Sequence, residues 1–353
     1  TEDRQRETVA ACNRLSRGPG SDRDVLLRRR KQSGNRTAVG TLELYYASDV
    51  HGSEQCWRKF LGAGRFYGVQ ALIMGGDLTW KAIVPITIDG DSFSAHFLGE
   101  DQSGKGRDEL EKLEKAIRYN GMYPWLAGAD EVREAEGDPG VRHRLFEHVM
   151  VEELRRWIDL ADERMSEYGI DVFVMPGNDD PWSCDPILEA ASHVQACDER
   201  LVRVGDHEMI SCAFANPTPW NSPRELDEDA LYAKVKALAD QVESPETAIF
   251  NLHVPPYGSG LDTANEINPD LTLVYKSGQP NPIPVGSAAI RQIIEEYQPL
   301  LGLHGHIHES RGEARIGRTL CINSGSEYNS GRIHGVTVKL APTAVVSHQF
   351  VIG

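Results

Sequence analysis

The chain has 353 residues, of which 40% are apolar and 25% are charged, as expected for a folded protein with one large or two small domains. This composition excludes a mainly disordered chain, a collagen-like chain and a disulfide scaffold. Acidic residues outnumber basic ones by 53 to 37, which gives a net charge of −16. A chain this acidic repels nucleic acids and anionic membranes as a whole, and this argues against a dedicated nucleic-acid binder.

The cysteines, the apolar runs and the start of the sequence bear on location. Six cysteines are scattered without a CxxC pair, a pattern that suits a reducing compartment and not a zinc ribbon or a redox motif. No apolar run approaches the ~18 residues that a bilayer-spanning helix needs. The residues after Thr1 lack the layout of a signal peptide. We therefore expect a cytoplasmic protein without a membrane partner.

The first 40 residues differ from the rest of the chain. Residues 1–40 hold ten basic and five acidic side chains, so that the other 313 residues carry a net charge of −21. Few large apolar side chains occur there, and we predict a basic N-terminal extension that is poorly ordered or peripheral. The alternative is a basic arm that recruits a polyanion.

Strand and helix signals alternate over residues 41–353, which we assign to one domain. In the first half of this region, the patterns predict a strand at 42–48, a helix at 53–66, a strand at 70–74 and a hairpin over 86–98 that turns at Asp89-Gly90. Helices at 107–118 and 140–168 and a strand at 171–175 follow. In the second half, strands at 207–214, 247–252 and 299–303 are separated by helices at 227–241 and 286–297, and three or four strands come after residue 310. This order predicts a layered α/β domain with sheets inside and helices outside. We interpret about 81–150 as an inserted hairpin-helix segment.

Five short polar motifs each follow a predicted apolar strand. They are Asp49-Val50-His51, Gly76-Asp77, Gly177-Asn178-Asp179, His253 in Asn251–Pro256, and Gly305-His306-Ile307-His308. Each motif alone is weak, but loops that leave the carboxyl ends of strands gather where ligands bind. Without the aspartate at 179, the set supplies two carboxylates, one amide and four imidazoles. Oxygen and nitrogen donors without a thiolate suit Mn, Fe, Zn, Co or Ni.

The motif set resembles that of the calcineurin-like metallophosphoesterase superfamily, whose pattern is D-x-H, G-D, G-N-H, H and G-H-x-H. The resemblance covers about residues 42–340, and residues 46–52, 176–180 and 303–308 look like the branch of predicted phosphoesterases related to bacterial cyclic-nucleotide phosphodiesterases. It implies two mixed β-sheets sandwiched between helices. It also implies two metal ions, with the ligands divided as follows: Asp49, His51 and His308 on one ion, Asn178, His253 and His306 on the other, and Asp77 as the bridge.

The implied chemistry is hydrolysis of a phosphoester. Two dications about 3.5–4 Å apart lower the pKa of a bridging water and clamp the attacking and leaving oxygens. We therefore expect in-line attack of a metal-bridging hydroxide at phosphorus, with Asp77, His253 and Asp179 as the catalytic residues. Manganese is the leading expectation for both ions, with Fe, Zn, Co or Ni as alternatives.

One position departs from the family pattern. Asp179 stands where the family has the histidine that contacts the scissile phosphate. A carboxylate there and a phosphate charge ~5 Å away would repel by roughly 3 kcal/mol at an effective dielectric constant of ~20. We therefore expect the site to prefer singly charged phosphodiesters to doubly charged monoesters, with Asp179 as a general acid. The alternative is that Asp179 only hydrogen-bonds the backbone of its turn.

The leading prediction is a metal-dependent phosphodiesterase for a small substrate, with a cyclic nucleotide as one candidate. A broad phosphomonoesterase, a nuclease, and a metal-retaining binding or regulatory protein are the alternatives. Long nucleic acids are disfavoured by the acidic surface. Three further features could assist a substrate. The first is a set of side chains that could contact a phosphate, namely Arg291, Arg311, Lys276 and His304. The others are the loop aromatics Trp220 and Tyr257 and the segment 81–150 as a roof over the metal site.

Overall fold

The computed structural model describes residues 40–79, 82–268 and 270–353, so that the basic extension expected at 1–40 lies outside the described residues except for Gly40. The strands, in chain order, are β1 (Leu42–Ala47), β2 (Ala71–Met74), β3 (Ile83–Asp89), β4 (Ser92–Phe97), β5 (Glu100–Lys105), β6 (Tyr123–Ala127), β7 (Asp171–Val174), β8 (Val194–Ala196), β9 (Leu201–Val204), β10 (His207–Cys212), β11 (Ile249–Leu252), β12 (Thr263–Asn265), β13 (Tyr275–Lys276), β14 (Gln279–Pro280), β15 (Pro282–Pro284), β16 (Leu301–His304), β17 (Gly312–Ile316), β18 (Thr319–Asn323), β19 (His334–Ala341) and β20 (Ala344–Ile352). The α-helices are α1 (Glu54–Tyr67), α2 (Arg107–Tyr119), α3 (Ala129–Gly137), α4 (Pro139–Tyr168), α5 (Asp185–Glu189), α6 (Glu228–Ala239) and α7 (Ala288–Tyr297).

Two six-stranded mixed sheets form the centre of the fold. The first has the strand order β20-β19-β1-β2-β7-β8, and the second has the order β17-β18-β16-β11-β10-β9. Apolar side chains from both sheets form one core between them. The outer face of the first sheet packs on α1, α4 and α5, and that of the second packs on α6 and α7. The expected fold, two mixed sheets sandwiched between helices, is confirmed.

The central strands are apolar on both faces because each face meets another layer. On β1, Leu44 and Tyr46 point into the core between the sheets, whereas Tyr45 and Ala47 pack against the helical layer. Successive side chains of β1 from Leu44 to Ala47 therefore point alternately into two different cores, and neither face of this part of the strand meets solvent. This explains why the strand signals are short continuous apolar runs.

The register of the parallel strands brings the polar motifs together. Ala47 of β1 pairs with Met74 of β2, and Met74 pairs with Val174 of β7. In the second sheet, Cys212 of β10 pairs with Leu252 of β11. The carboxyl ends of these strands are thus level, and the loops that follow them leave the sheets at the same edge.

The segment after the Gly76-Asp77 motif builds a separate small sheet. Its strands have the order β5-β4-β3-β6, and β3 and β4 are the expected hairpin. Val84, Ile86 and Phe93 pack there against Leu113 and Ile117 of α2. The other predicted helices and strands lie within two residues of their observed bounds. The elements that the sequence patterns missed are β5, β6, β8, β9, β12–β15, α3 and α5.

Helices α1 and α4 pack against each other on the outer face of the first sheet. The Trp57 and Trp157 rings stack with their centroids 5.3 Å apart. Beside them, Glu54 accepts hydrogen bonds from Arg58 at 2.6 Å and from Arg156. Burial would raise the pKa of Glu54, but the two guanidinium groups outweigh it and lower the pKa to about 2. Helix α4 is the longest described helix, and no helix among the described residues is both long and apolar enough to cross a bilayer.

Candidate metal centre

Backbone hydrogen bonds join the loops of the first two motifs, and also those of the last two. The Asp49 N–H donates to the Gly76 carbonyl at 2.9 Å, and the His51 N–H donates to the Asp77 carbonyl at 2.9 Å. From the second sheet, the Gly305 N–H donates to the His253 carbonyl at 2.9 Å. These bonds fix the backbones of the candidate ligands relative to one another before any ion is bound.

Four of the candidate ligands have a left-handed backbone conformation. Their φ angles are 58° for Asp49, 38° for His51, 52° for Asp77 and 65° for His306. Residues other than glycine rarely adopt this region, at a cost of about 1–3 kcal/mol each, and such strain is found mainly at functional sites. The cross-loop hydrogen bonds hold these conformations in place.

Glycine is required where the motif loops touch. A Cβ on Gly76 would lie 2.8 Å from His253 Nδ1, and Gly76 itself has a φ of 109°. A Cβ on Gly177 would overlap the Asp77 carboxylate, and one on Gly305 would overlap the Asp49 carboxylate. These glycines therefore allow the close approach of loops that brings the ligands together.

One group of donor atoms comes from Asp49, His51 and His308. The Nε2 atoms of His51 and His308 lie 3.1 Å apart. His308 Nε2 lies 3.4 Å from Asp49 Oδ1. Asp49 and His51 are buried, at 1% and 4% exposure. The three donor atoms all lie within 4.8 Å of one another, so this group could hold a metal ion.

A second group comes from Asp77, His253 and His306, whose donor atoms also lie within 4.8 Å of one another. His253 Nε2 lies 3.4 Å from Asp77 Oδ2 and 3.0 Å from Asn178 Oδ1. The Asn178 amide is therefore placed beside this group, as the sequence predicts. Both His253 and Asn178 are buried, at 0% and 3% exposure.

Asp77 lies between the two groups. Its Oδ2 atom is 3.6 Å from His51 Nε2 of the first group and 3.4 Å from His253 Nε2 of the second. Ligand atoms that share an ion at about 2.1 Å are about 3.0–3.5 Å apart. The four donor distances given above within the two groups, 3.1, 3.4, 3.4 and 3.0 Å, lie in this range. The imidazole, carboxylate and amide donors therefore fit divalent metal ions in both spacing and chemistry.

Several contacts orient the ligands. His253 Nδ1 lies 2.8 Å from the Gly75 carbonyl, which assigns the proton to Nδ1 and directs Nε2 toward the donor group. The His306 N–H donates to both oxygens of Asp49 at 3.1 Å. Ser326, which the sequence reasoning missed, donates its hydroxyl to the Asp49 carbonyl at 2.6 Å.

The imidazoles and carboxylates of the two groups shift one another's pKa values. Burial lowers the pKa of His253, but the Asp77 carboxylate outweighs burial and raises it to about 10. The pKa of Asp77 is correspondingly held far below its usual value, since the charge on His253 outweighs the effect of burial. Burial and the neighbouring His253 lower the pKa of His306 to about 4. Binding of a cation therefore displaces a proton from this cluster.

Asp179 faces the candidate metal centre. Its donor atom lies within 4.8 Å of those of His51 and Asp77. Its carboxylate accepts a hydrogen bond from the Ser222 hydroxyl at 2.6 Å, and its N–H donates to Asp77 Oδ1 at 3.0 Å. The carboxylate is therefore not turned away from the donor groups, and its contact with Ser222 ties it to a distant loop.

The next residue, Asp180, is a structural clamp that the sequence reasoning missed. It is fully buried, and its carboxylate accepts hydrogen bonds from the N–H groups of Leu78, Thr79 and Gly177 at 2.8–2.9 Å. It thus joins the loop after β2 to the loop after β7. The available signal was the second aspartate directly after Gly177-Asn178-Asp179. Arg224, only 1% exposed, supports the same loop by donating to the Asp180 carbonyl at 3.1 Å.

A cavity of about 870 Å³ opens on the candidate ligands. Much of its wall comes from residues 216–220, 264–267 and 283–286, and Trp220 and Tyr257 are part of the wall. Tyr328, another residue that the sequence reasoning missed, also lines it, with its ring centroid 4.6 Å from that of His51.

Two expectations about this cavity are corrected. None of residues 82–150 lines it, so the described part of the inserted segment does not roof the metal centre. The cations Arg291, Arg311 and Lys276 do not line it either. Arg291 instead donates to Glu295 and to the Tyr257 carbonyl, at 2.8 and 2.9 Å, and Arg311 lies over the Phe350 ring.

Comparisons with known proteins agree with this architecture. The chain matches no family model. It is 30% identical over 161 residues to the uncharacterized protein MJ1162 of Methanocaldococcus jannaschii, a match that covers 45% of this chain and 65% of that protein. The chain thus spans slightly less than two thirds of the length of this curated relative.

Among solved structures, one with 14% identity covers 89% of this chain and 99% of its own, with a TM-score of 0.52. The structure of an archaeal phosphodiesterase is 10% identical, and the match covers 88% of this chain and 100% of that one with a TM-score of 0.32. The structure of YfcE, a phosphoesterase from E. coli, is 12% identical, and the match covers 87% of this chain and 98% of that one with a TM-score of 0.30. The first of these structures shares the fold of this chain.

The fold and the donor set meet at one sheet edge. Two mixed sheets between helices carry the Asp, His and Asn motifs there, and the buried Asp and His groups could bind metal ions. The solved structure with the TM-score of 0.52 shares this fold.

Proposed function

We propose that this protein hydrolyses a small phosphodiester with the help of two divalent ions, for which Mn²⁺ is the leading candidate. The observation that carries the proposal is the convergence of two Asp/His groups, Asp49 with His51 and His308 and Asp77 with His253 and His306. Asn178 beside His253 supports the proposal further. A cyclic nucleotide is one candidate substrate.

In this proposal, Asp49, His51 and His308 hold one ion, Asn178, His253 and His306 hold the other, and Asp77 is shared. Two such ions lower the pKa of water and neutralise phosphate charge. The chain's own residues fix the geometry. The Gly75 carbonyl keeps His253 in one tautomer, and the His306 N–H holds the Asp49 carboxylate.

Asp179 is proposed to select the charge of the substrate. Its carboxylate lies at the cavity wall beside His51 and Asp77, where a substrate phosphate would bind. A doubly charged monoester meets more repulsion there than a singly charged diester, since Coulomb energy scales with the product of the charges. A second proposed role is proton transfer to the leaving oxygen, which a carboxyl at this position could perform.

The substrate is proposed to be small and the location cytoplasmic. The net charge of −16 opposes binding of long polyanions. The described cysteines, Cys56, Cys184, Cys197, Cys212 and Cys321, are buried thiols, which suits a reducing compartment.

The proposal is tested by metal analysis combined with hydrolysis assays. The Mn²⁺-loaded chain should contain two ions and should hydrolyse bis(p-nitrophenyl) phosphate faster than p-nitrophenyl phosphate. A chelator should abolish both activities, and Mn²⁺ should restore them. A panel of cyclic nucleotides and dinucleotides then ranks natural substrates. Two bound ions without turnover of any ester would instead support a binding protein, and faster monoester turnover would support a phosphomonoesterase.

A further inference from the structure

The cavity at the metal centre is much larger than a phosphate group needs. Its volume of about 870 Å³ lies in the range of about 300–1,000 Å³ that is typical of sites for whole small molecules. Candidate metal ligands form only part of its lining. The remaining wall is formed by residues 216–220, 264–267 and 283–286 together with Ser222, Glu228, Tyr257, Ala288, Ile307, Glu309 and Tyr328. This part of the cavity faces the organic portion of any ester whose phosphate binds at the metals.

One side of this wall presents Trp220 on a fixed loop. The Trp220 side chain is 62% exposed although it lines the cavity. Glu225 holds the loop by accepting hydrogen bonds from the N–H groups of Thr218 and Ser222 at 3.0 and 2.9 Å. An exposed aromatic ring on a backbone that is already ordered loses little further freedom when a ligand stacks on it.

Tyr257 is presented in a similar way from another segment. Its side chain is 46% exposed, its N–H donates to the Ser287 carbonyl at 2.9 Å, and its carbonyl accepts from Arg291 at 2.9 Å. The next residue, Gly258, donates its N–H to Asp262 at 2.7 Å. Asp262 is fully buried and plays the same structural role for this segment as Glu225 does for the loop of Trp220.

The rest of the wall is apolar, neutral polar or acidic. Nine further apolar residues line it: Pro217, Pro219, Ala264, Ile267, Ile283, Pro284, Val285, Ala288 and Ile307. The neutral polar lining residues are Asn216, Thr218, Ser222 and Asn265. Away from the candidate ligands, the charged lining residues are Glu228, Glu266 and Glu309, and no lysine or arginine occurs among the described lining residues. Such a wall favours an uncharged group and repels a second anionic one.

We propose that this cavity is a subsite for a flat, uncharged aromatic group esterified to the phosphate, and that Trp220 and Tyr257 select it by stacking. The inference rests on the proposed function, because it assumes that the phosphate lies at the metal ligands. A nucleoside base meets the description, whereas a sugar phosphate or a nucleoside triphosphate does not. Stacking on such side chains typically changes affinity by about tenfold or more for each ring.

The test measures binding, so that it does not depend on turnover. Diphenyl phosphinate and dimethyl phosphinate carry the same single charge and contain P–C bonds in place of the ester bonds. Calorimetric titration of the Mn²⁺-loaded full chain should show at least about tenfold tighter binding of the diphenyl compound. The double variant Trp220→Ala, Tyr257→Ala should lose this preference and keep its affinity for dimethyl phosphinate within about twofold.

Two matched variants and one charged ligand sharpen the test. Trp220→Phe, Tyr257→Phe retains both rings and should retain the preference. Tyr275→Ala removes another exposed tyrosine, 61% exposed and outside the cavity wall, and should change neither affinity. A diphenyl phosphinate with a carboxylate on each ring should bind about tenfold more weakly than the parent compound because of the acidic wall.

Equal affinities for the two phosphinates would overturn the inference, and so would an equal loss of both in the alanine variant. Failure of the proposed function is a separate result. If the chain hydrolyses no ester but still prefers the diphenyl compound through Trp220 and Tyr257, the subsite stands and the activity is rejected.

Discussion

The metal-ligand cluster and the cavity wall beside it are built in different ways. The ligands are buried, four of them have a left-handed backbone, and direct backbone hydrogen bonds join their loops. The wall instead presents Trp220 at 62% and Tyr257 at 46% exposure, on segments whose backbone N–H groups donate to the carboxylates of Glu225 and Asp262. Metal ions require donor atoms at fixed distances, whereas an organic group requires shape and apolar area. The need for fixed donor distances produces short sequence motifs, whereas the need for shape and apolar area does not.

The largest expected effect is on the ligand cluster, through Asp77→Asn. The substitution preserves shape but removes the charge of a carboxylate that lies between both donor groups. Loss of an outer-shell partner of a metal ligand typically costs 10–100-fold, so loss of this ligand should lower activity by at least ~100-fold. Metal analysis after Mn²⁺ loading should also show less than the wild-type metal content.

The control for this variant is Asp108→Asn, the same chemical change on an exposed residue of α2. It should keep full metal content and activity. An Asp77→Asn protein that retains its metal and its rate would place the metal centre elsewhere.

A smaller effect is expected from adding one methyl group to the cluster, in Gly177→Ala. The new Cβ overlaps the Asp77 carboxylate, so the loops after β2 and β7 must separate. We expect metal affinity to fall by ~10–100-fold, as for other disturbances around a metal ligand. Competition with a chelator measures this affinity.

The matched control is Gly62→Ala in α1, where no heavy atom lies within 4 Å of the new Cβ. It should leave metal affinity unchanged and raise the free energy of unfolding by up to ~1 kcal/mol, because alanine favours a helix more than glycine does. Equal metal affinities in the two variants would show that close loop contact is not needed.

Asp179 lies where the cluster meets the cavity, and its variants test the charge of the substrate. In Asp179→His the ratio of monoester to diester turnover should rise about tenfold, because a repulsive carboxylate is removed. Asp179→Asn keeps an acceptor for the Ser222 hydroxyl and should shift the ratio in the same direction. The measurement is kcat/KM for p-nitrophenyl phosphate and its bis(p-nitrophenyl) diester. An unchanged ratio in both variants would remove Asp179 from substrate selection.

The smallest effect is expected from Glu54→Gln, which changes the contact between α1 and α4 and lowers the free energy of unfolding. The pKa of Glu54 is lowered to about 2, so its ion pairs stabilise the fold above the unfolded-state pKa of ~4.3, and this stability is lost as pH falls toward about 2. The arginine partners are partly exposed and screened, so the loss at pH 7 should be about 1–3 kcal/mol. Urea unfolding at several pH values should show the difference between variant and wild type shrinking below about pH 5. A constant difference would assign the effect to packing.

The sequence predicted the fold, and it predicted that the candidate ligand residues meet, for the same physical reason. Continuous apolar runs mark strands that are buried on both faces, as in β1, and each ligand motif follows such a strand. The structure places Asp49, Asp77 and His253 together because the strand ends are level. Position along the chain was therefore sufficient to predict that these residues meet.

The remaining parts depend on contacts between residues that are far apart in the sequence. The second aspartate directly after Gly177-Asn178-Asp179 marks Asp180 in the sequence, but its role as a clamp follows from its contacts with Leu78 and Thr79. The cavity wall combines Trp220 and Tyr257 from separate segments, whose meeting is set by tertiary packing. The short strands β12–β15 were missed because they have two or three residues each, too few for a periodic signal.

The pairing of β1 with β19 has a consequence for how the molecule forms. Leu42 pairs with Leu340, and Asp49 contacts His306, which lies 257 residues further along the chain. A ribosome must therefore synthesise nearly all of the described chain before β1 has both neighbours or the ligand set is complete. Contacts this distant in sequence fold slowly. We expect metal to bind only after synthesis has passed His308. Until then, we expect chaperones to protect the apolar strand β1 from aggregation.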